Sequence, residues 1–165
     1  MNPKRFGVEL TRLLPQMRRF ARGLTRDAAD GDDLCQATIE RALRSCQQWQ
    51  EGTRLDAWVY RIMRNLWIDE TRSRSRHQRH LAPEEAGADV AGTGAAGVEA
   101  PVELGDVGRA LALLPDEQRE AVMLVLVEGF AYREAAEIID CPIGTLTSRL
   151  ARGREALMRA LGEAA

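Results

Sequence analysis

Gly129 to Leu161 reads G-F-A-Y-R-E-A-A-E-I-I-D-C-P-I-G-T-L-T-S-R-L-A-R-G-R-E-A-L-M-R-A-L. The stretch predicts two helices with a tight break between them. The first, from about Tyr132 to Ile139, puts Ala135, Ala136 and Ile139 on one face, where small side chains let another helix approach closely. Asp140-Cys141-Pro142 forms the break, and proline suits a helix start because its missing N–H has no partner there anyway. The second helix carries Ile143, Leu146, Leu150, Leu157 and Leu161 as one apolar stripe at steps of three, four and seven. Its other face holds Thr145, Thr147, Ser148, Arg149 and Arg152. Paired helices of this outline form a helix-turn-helix, and short hydroxyls with arginines suit phosphates and guanine edges. An ordinary helical hairpin with a solvated polar face fits the pattern equally well.

Outward from this stretch, the charge of the chain decides more than its total. The net charge of −2 is modest for a polyanion binder. Met1 to Leu81 holds 16 Lys/Arg against 10 Asp/Glu, a balance of +6. Ala82 to Asp106 holds 6 acids and no base, and Val107 to Ala165 holds 7 bases and 9 acids. The N-terminal part is therefore the stronger polyanion binder, and the C-terminal part depends on a few placed arginines. Residues 82–106 are dominated by glycine, alanine and acids, with almost nothing that could pack, and read as a flexible linker. Acids there discourage the linker from lying on DNA.

The 165 residues suffice for one ordinary domain or two small ones, and 45% hydrophobic with 29% charged content is that of a soluble globular chain. No apolar run of membrane-spanning length occurs, and the N-terminus lacks the apolar core of a signal peptide, so the expected compartment is the cytoplasm. Cys35, Cys46 and Cys141 are scattered and odd in number, which argues against a disulfide framework.

Leu10, Leu13, Leu14, Met17, Phe20, Ala21 and Leu24 form a helical stripe, with Pro15 marking a kink or the true first turn. Thr25 to Asp32 reads as a polar break ending near Gly31. A helix is expected from Asp32-Asp33, whose acids suit its start, to about Ser45. Gln47 to Thr53 reads as a loop carrying Trp49, and Leu55 to about Arg76 as one long helix. Trp49, Trp58 and Trp67, all the tryptophans of the chain, lie among Arg54, Arg61, Arg64 and Arg72. Arginines that hold a backbone beside rings that stack on bases suit single-stranded nucleic acid, at about 1–3 kcal/mol per stacked base. Trp67 is read as a packing residue. Trp49, in a loop beside the basic helix, is read as a stacking one. A short helix is expected over Val107 to Leu114, with Leu111 and Leu114 inward. Pro115-Asp116-Glu117 then starts a helix through the Val122–Val127 run, which reads as buried helix because no partner strand is visible.

No catalytic constellation accompanies these elements: no Gly-rich phosphate loop, no G-x-S-x-G, no H-E-x-x-H. His77 and His80 supply too few ligands for a closed zinc site. Nothing calls for a cofactor, a metal or an enzymatic reaction.

Taken together in this order, the pieces resemble the extracytoplasmic-function (ECF) sigma factors, a branch of the sigma-70 family. D-D-L-C-Q-A-T-I-E-R-A-L (Asp32 to Leu43) resembles the family's polymerase-clamp helix. L-D-A-W-V-Y-R-I-M-R-N-L-W-I-D-E-T-R (Leu55 to Arg72) resembles its promoter-melting helix. L-P-D-E-Q-R-E-A-V (Leu114 to Val122), G-F-A-Y-R-E-A-A-E-I (Gly129 to Ile138) and C-P-I-G-T-L-T-S-R-L-A-R-G-R (Cys141 to Arg154) resemble its final domain. The resemblance implies an all-α protein of two small helical domains joined by a flexible linker. Residues 1–81 would form the clamp- and minus-ten-binding domain, 82–106 the linker, and 107–165 the helix-turn-helix domain for the minus-thirty-five element.

It further implies that Asp33, Gln36 and Glu40 contact core RNA polymerase. Asn65 and the loop from Trp49 to Leu55 would receive an unstacked base, and Arg61, Arg64 and Arg72 would hold the separated strand. Thr145, Ser148, Arg149 and Arg152 would enter the major groove of promoter DNA. The implied partners are core RNA polymerase, promoter DNA and an anti-sigma factor, with no membrane insertion. Three positions depart from the family pattern. Ala37 replaces a usual acid, Thr147 a usual lysine, and Gly153 a usual alanine, at about 1 kcal/mol of helix propensity. Two other readings stay open on sequence: a conventional helix-turn-helix regulator, and a sigma-like module that titrates an anti-sigma factor.

Overall fold

Asn2 opens the first helix, its side-chain oxygen accepting from the Lys4 N–H at 3.0 Å while Pro3 fills the first turn. This helix, α1 (Pro3–Arg12), stops at Leu13, and α2 (Leu14–Thr25) begins at once with Pro15 in its first turn. The stripe expected as one helix is thus divided. Leu10 belongs to α1, and Pro15 marks a start rather than a kink. The computed structural model describes residues 2–81 and 105–163 of the chain.

α2 ends where Arg26 turns left-handed at φ 60°, and Asp27 caps α3 (Ala28–Arg44) by accepting from the Asp30 N–H at 2.9 Å. The helix therefore begins about four residues before Asp32, and the cap is Asp27. Gly31, expected in a break, lies buried inside α3. A Cβ there would stand 2.7 Å from the Arg22 Cα, so the missing side chain lets α3 press against α2. After a 3-10 turn at Cys46–Gln48, α4 (Leu55–Leu81) runs beyond the expected end at Arg76.

The segment expected to link the two parts lies outside the described residues up to position 104. Its last two residues, Gly105 and Asp106, already belong to α5 (Gly105–Ala112). Leu111 and Leu114 point inward, as their spacing predicts. α6 (Asp116–Val122) starts after Pro115, and Met123–Val127 continues as a π-helical turn in which the Glu128 N–H donates to the Met123 carbonyl at 2.8 Å. The run expected to be wholly buried is half so: Val122, Met123 and Leu124 face inward, Leu126 and Val127 outward. Gly129, at φ 76°, ends it. α7 (Tyr132–Ile138) buries Ala135 and Ala136, and α8 (Ile143–Glu163) follows the Asp140–Pro142 turn, Asp140 adopting φ 52°.

Among the described residues the fold is all-α, eight α-helices with no strand. None of these helices is long and apolar enough to cross a membrane. α2, α3 and α4 pack as one bundle with α1 against it, while α6 and α8 are the main pair of the other. The two bundles touch, and their buried side chains join in one cluster running from Phe6 to Leu150. Phe20 stacks on Tyr60 with ring centroids 4.7 Å apart, and Tyr60 meets Phe130 edge-on at 5.6 Å. Met123 fits against Gly23, where a Cβ would collide with its side chain. Gly153 serves the second bundle in the same way: a Cβ there would come within 2.6 Å of a Val122 methyl, so the glycine seats α8 on α6.

Candidate functional site

Three helices each bury one stripe and leave another free, and the free stripes carry the expected contact residues. α3 turns Leu34, Cys35, Thr38 and Ala42 into the core. The residues between them, Asp33, Gln36 and Glu40, then share the exposed face at helical steps of three and four. α4 buries Val59, Tyr60 and Met63. Arg61, Asn65 and Arg72 stand on its exposed side, and Arg76 and Arg79 continue the same row. α8 buries Leu146 and Leu150, leaving Ser148 and Arg152 exposed and Thr145 half-buried at the helix start.

Trp49 is placed otherwise than as an open stacking platform. It is half-buried, its ring 6.0 Å from that of Phe6, which also meets Trp58 edge-on at 6.1 Å. The Trp49 indole nitrogen is buried without a hydrogen-bond partner among the described residues. The cause is α1, an element the sequence reading did not foresee, whose Phe6 covers the ring.

Arg64 also departs from the outward row: at about 100° per residue it lies about 60° round the helix from Arg61 and about 100° from Asn65, on the flank that meets the second bundle. Its Nε donates to Oε1 of Glu120 at 2.8 Å, with the two side chains 17% and 3% exposed. Burial pushes the Glu120 carboxyl above its ordinary pKa, while Arg64 and then Arg149 and Arg119 pull against that rise. Arg149 of α8 is itself only 22% exposed and lies 3.5 Å from Glu117.

Four more charged groups join the bundles. Glu128 accepts from Arg19 Nε and Nη2, each at 2.9 Å, and from the Tyr60 hydroxyl at 2.9 Å. Burial first, and the Glu128 charge second, push the Tyr60 phenol up, so it stays a donor. Arg119 is 1% exposed and donates to the Gly23 carbonyl at 2.7 Å and to the Leu24 and Leu114 carbonyls at 2.9 Å. Burial lowers its pKa, and Asp116, 2.7 Å from Nη2, opposes that. Arg26 reaches the same Leu114 carbonyl and Asp116. At the far end Arg54 lies over the Phe130 ring, 4.5 Å from its centroid, and pairs with Glu134 at 2.8 Å. Sequence reasoning singled out none of Arg119, Glu120 and Glu128. Their neighbours in sequence are ordinary helix residues, and their partners across the bundles are more than fifty residues away.

The family model described as Sigma-70 region 2 matches residues 10–77, and that of Sigma-70, region 4 matches residues 104–157. The ECF RNA polymerase sigma factor EcfG of Rhodopseudomonas palustris is 39% identical over 146 residues, covering 87% of this chain and 78% of its own. This chain belongs to the ECF RNA polymerase sigma factors. Sigma factors are not enzymes, in keeping with the absence of catalytic motifs from the sequence. The sigma factor RpoE from Bartonella quintana, solved in complex with the anti-sigma factor NepR, is 31% identical with a TM-score of 0.81, over 96% of this chain and 98% of that one. The anti-anti-sigma factor PhyR of the same organism, also solved with NepR, shares the fold alone, at 19% identity and a TM-score of 0.60 over 93% of this chain and 49% of that one.

Proposed function

We propose that this sigma factor binds core RNA polymerase, directs it to a promoter class and helps open the DNA there, under the control of an anti-sigma factor. The observation that carries the reading is the order of exposed faces on a region 2 and region 4 chain. Asp33, Gln36 and Glu40 on α3 suit the polymerase clamp. Arg61, Asn65 and Arg72 on α4 suit an opened strand, with Arg64 joining them when the bundles part, while Trp49 packs against Phe6 of α1. A flipped base needs edge contacts and stacking, and the strand needs phosphate partners. Thr145, Ser148, Arg149 and Arg152 on α8 suit the major groove of the minus-thirty-five duplex. Residues 1–81 then serve polymerase and the minus-ten element, and 107–165 the minus-thirty-five element. Anti-sigma control is supported by the relative solved with NepR, which matches this chain across both bundles at once.

Run-off transcription with core polymerase, on promoters drawn from selected genomic binding sites, tests the reading. A transcript that requires this chain is expected. Absence of any transcript, together with absence of polymerase binding, would overturn it. A stable complex of the isolated chain with duplex promoter DNA, indifferent to polymerase, would point instead to a conventional regulator.

A further inference from the structure

We propose that Ile143 and Thr147 select thymine in the duplex promoter element: their methyl groups receive the C5-methyl of a thymine in the major groove, under the first two turns of α8. The proposal rests on the reading of α8 as the helix that reads the duplex, and it adds two residues and one base identity to that reading.

Ile143 opens the apolar stripe that Leu146 and Leu150 continue, yet it does not follow them inward. Leu146 and Leu150 are 0% and 2% exposed, whereas Ile143 is 53% exposed. Four residues on, Thr147 is exposed as well, and its hydroxyl donates to the Ile143 carbonyl at 2.8 Å. The one proton of that hydroxyl is thereby used within the helix, so it donates neither to a phosphate nor to a purine N7. The methyl group is what remains for a ligand. Thr145 and Ser148 differ, since their hydroxyls make no hydrogen bond among the described residues. Ala151 is exposed four residues beyond Thr147. Steps of four follow one ridge of a helix, with neighbouring Cβ atoms about 5–6 Å apart. Ile143, Thr147 and Ala151 thus form a ridge of methyl groups, and Ser148 and Arg152 stand exposed on the ridge beside it.

A single exposed apolar residue needs no explanation. This ridge differs in its setting. Between Asp140 and Glu155 the chain holds three arginines and no acid, so the surface around the ridge suits DNA and not the apolar groove of a protein. In the major groove thymine alone presents a methyl, at C5; cytosine is bare there and the purines present polar edges. Methyl against methyl removes both from water, whereas a guanine in the same place would lose water from N7 and O6 and gain no donor. Successive bases stand about 3.4 Å apart along a strand, so the Ile143–Thr147 pair spans one thymine or two in succession.

Deoxyuridine pairs as thymidine does and lacks only the methyl, so it isolates the contact. The test uses holoenzyme assembled from the full chain and core polymerase, with duplex promoters drawn from the selected genomic sites. Each thymine on either strand of the minus-thirty-five element is replaced in turn by deoxyuridine, and affinity is read by competition. One or two positions should lose about fourfold, the worth of one methyl kept from water. Ile143→Ala and Thr147→Ser should each bring that ratio toward one, with affinity for the deoxyuridine promoter and the salt dependence of binding little changed. Thr147→Val, which discards the hydroxyl and keeps a methyl, should retain the ratio. A wild type indifferent to deoxyuridine at every thymine, or a sensitive position that neither Ile143→Ala nor Thr147→Ser alters, overturns the proposal. So does an Ile143→Ala loss that is equal on thymine and deoxyuridine promoters, since the residue then serves polymerase or the DNA at large. Run-off transcription separates the failures. An active wild type that ignores deoxyuridine rejects thymine selection alone, whereas an inactive chain that binds no polymerase rejects the sigma reading as well.

Discussion

The outward row of α4 and the flank of the same helix that meets the second bundle are neighbours on one helix and differ in almost everything else. Arg61, Asn65 and Arg72 stand exposed, with no ion pair among the described residues, whereas Arg64 is held by a buried carboxylate. The first surface is an open electrostatic footprint. The second is a set of charged groups each matched to one partner, and there the removal of a single member leaves another buried and unpaired. The same residue type therefore has opposite energetic roles on the two sides. Stability depends on the inner arginines, and ligand binding can draw at once only on the outer ones.

Arg119 offers the largest break in this comparison. Arg119→Met strands the Gly23 and Leu24 carbonyls, and the chain should lose about 1–3 kcal/mol, read by urea denaturation. An unchanged midpoint would mean that the seam contributes nothing to the folded state. Gly153→Ala comes next. Alanine gains about 1 kcal/mol of helix propensity, but the collision with Val122 costs about 1–3 kcal/mol, so a net loss is expected where an exposed helix would gain. Gly31→Ala should fare worse than Gly153→Ala, since the obstacle at 2.7 Å is Arg22 backbone and cannot rotate away.

The sharpest contrast is Arg61→Ala against Arg64→Ala. The first should leave stability within about 0.5 kcal/mol, while the second should lower it by leaving Glu120 buried alone. Equal denaturation midpoints for the two would erase the distinction between the faces. The smallest effect concerns Cys35, whose thiol is buried and pushed up in pKa by that burial. Alkylation followed by peptide mass mapping should label Cys46 and Cys141 before Cys35.

Much of the outer surface was legible because it obeys periodicity. Leu34 and Thr38 going in sends Asp33, Gln36 and Glu40 out, and the stripe through Leu146 and Leu150 leaves Ser148 and Arg152 free. The run after Val122 is helical, as the lack of a partner strand implied. The seam was not legible. Arg119 sits in a segment whose sequence resembles any charged first turn, and only its distant carbonyl partners turn it inward. Gly31 suggested a break because glycine is a poor helix former, yet it lies where α3 presses on the Arg22 backbone of α2. α1 escaped notice because Phe6 and Leu10 alone anchor it, and with it went the reason that Trp49 is covered.

A distance between the bundles tests the central claim most directly. Spin labels at Ser73→Cys on α4 and Met158→Cys on α8, both at exposed positions, can be placed in a chain freed of its native cysteines. Pulsed electron resonance should find one short, narrow distance in the free chain. In the transcribing complex with core polymerase and promoter DNA, that population should give way to a longer distance. The same short distance in a complex that makes transcript would contradict the account, because Arg64 would then serve the promoter without ever leaving Glu120.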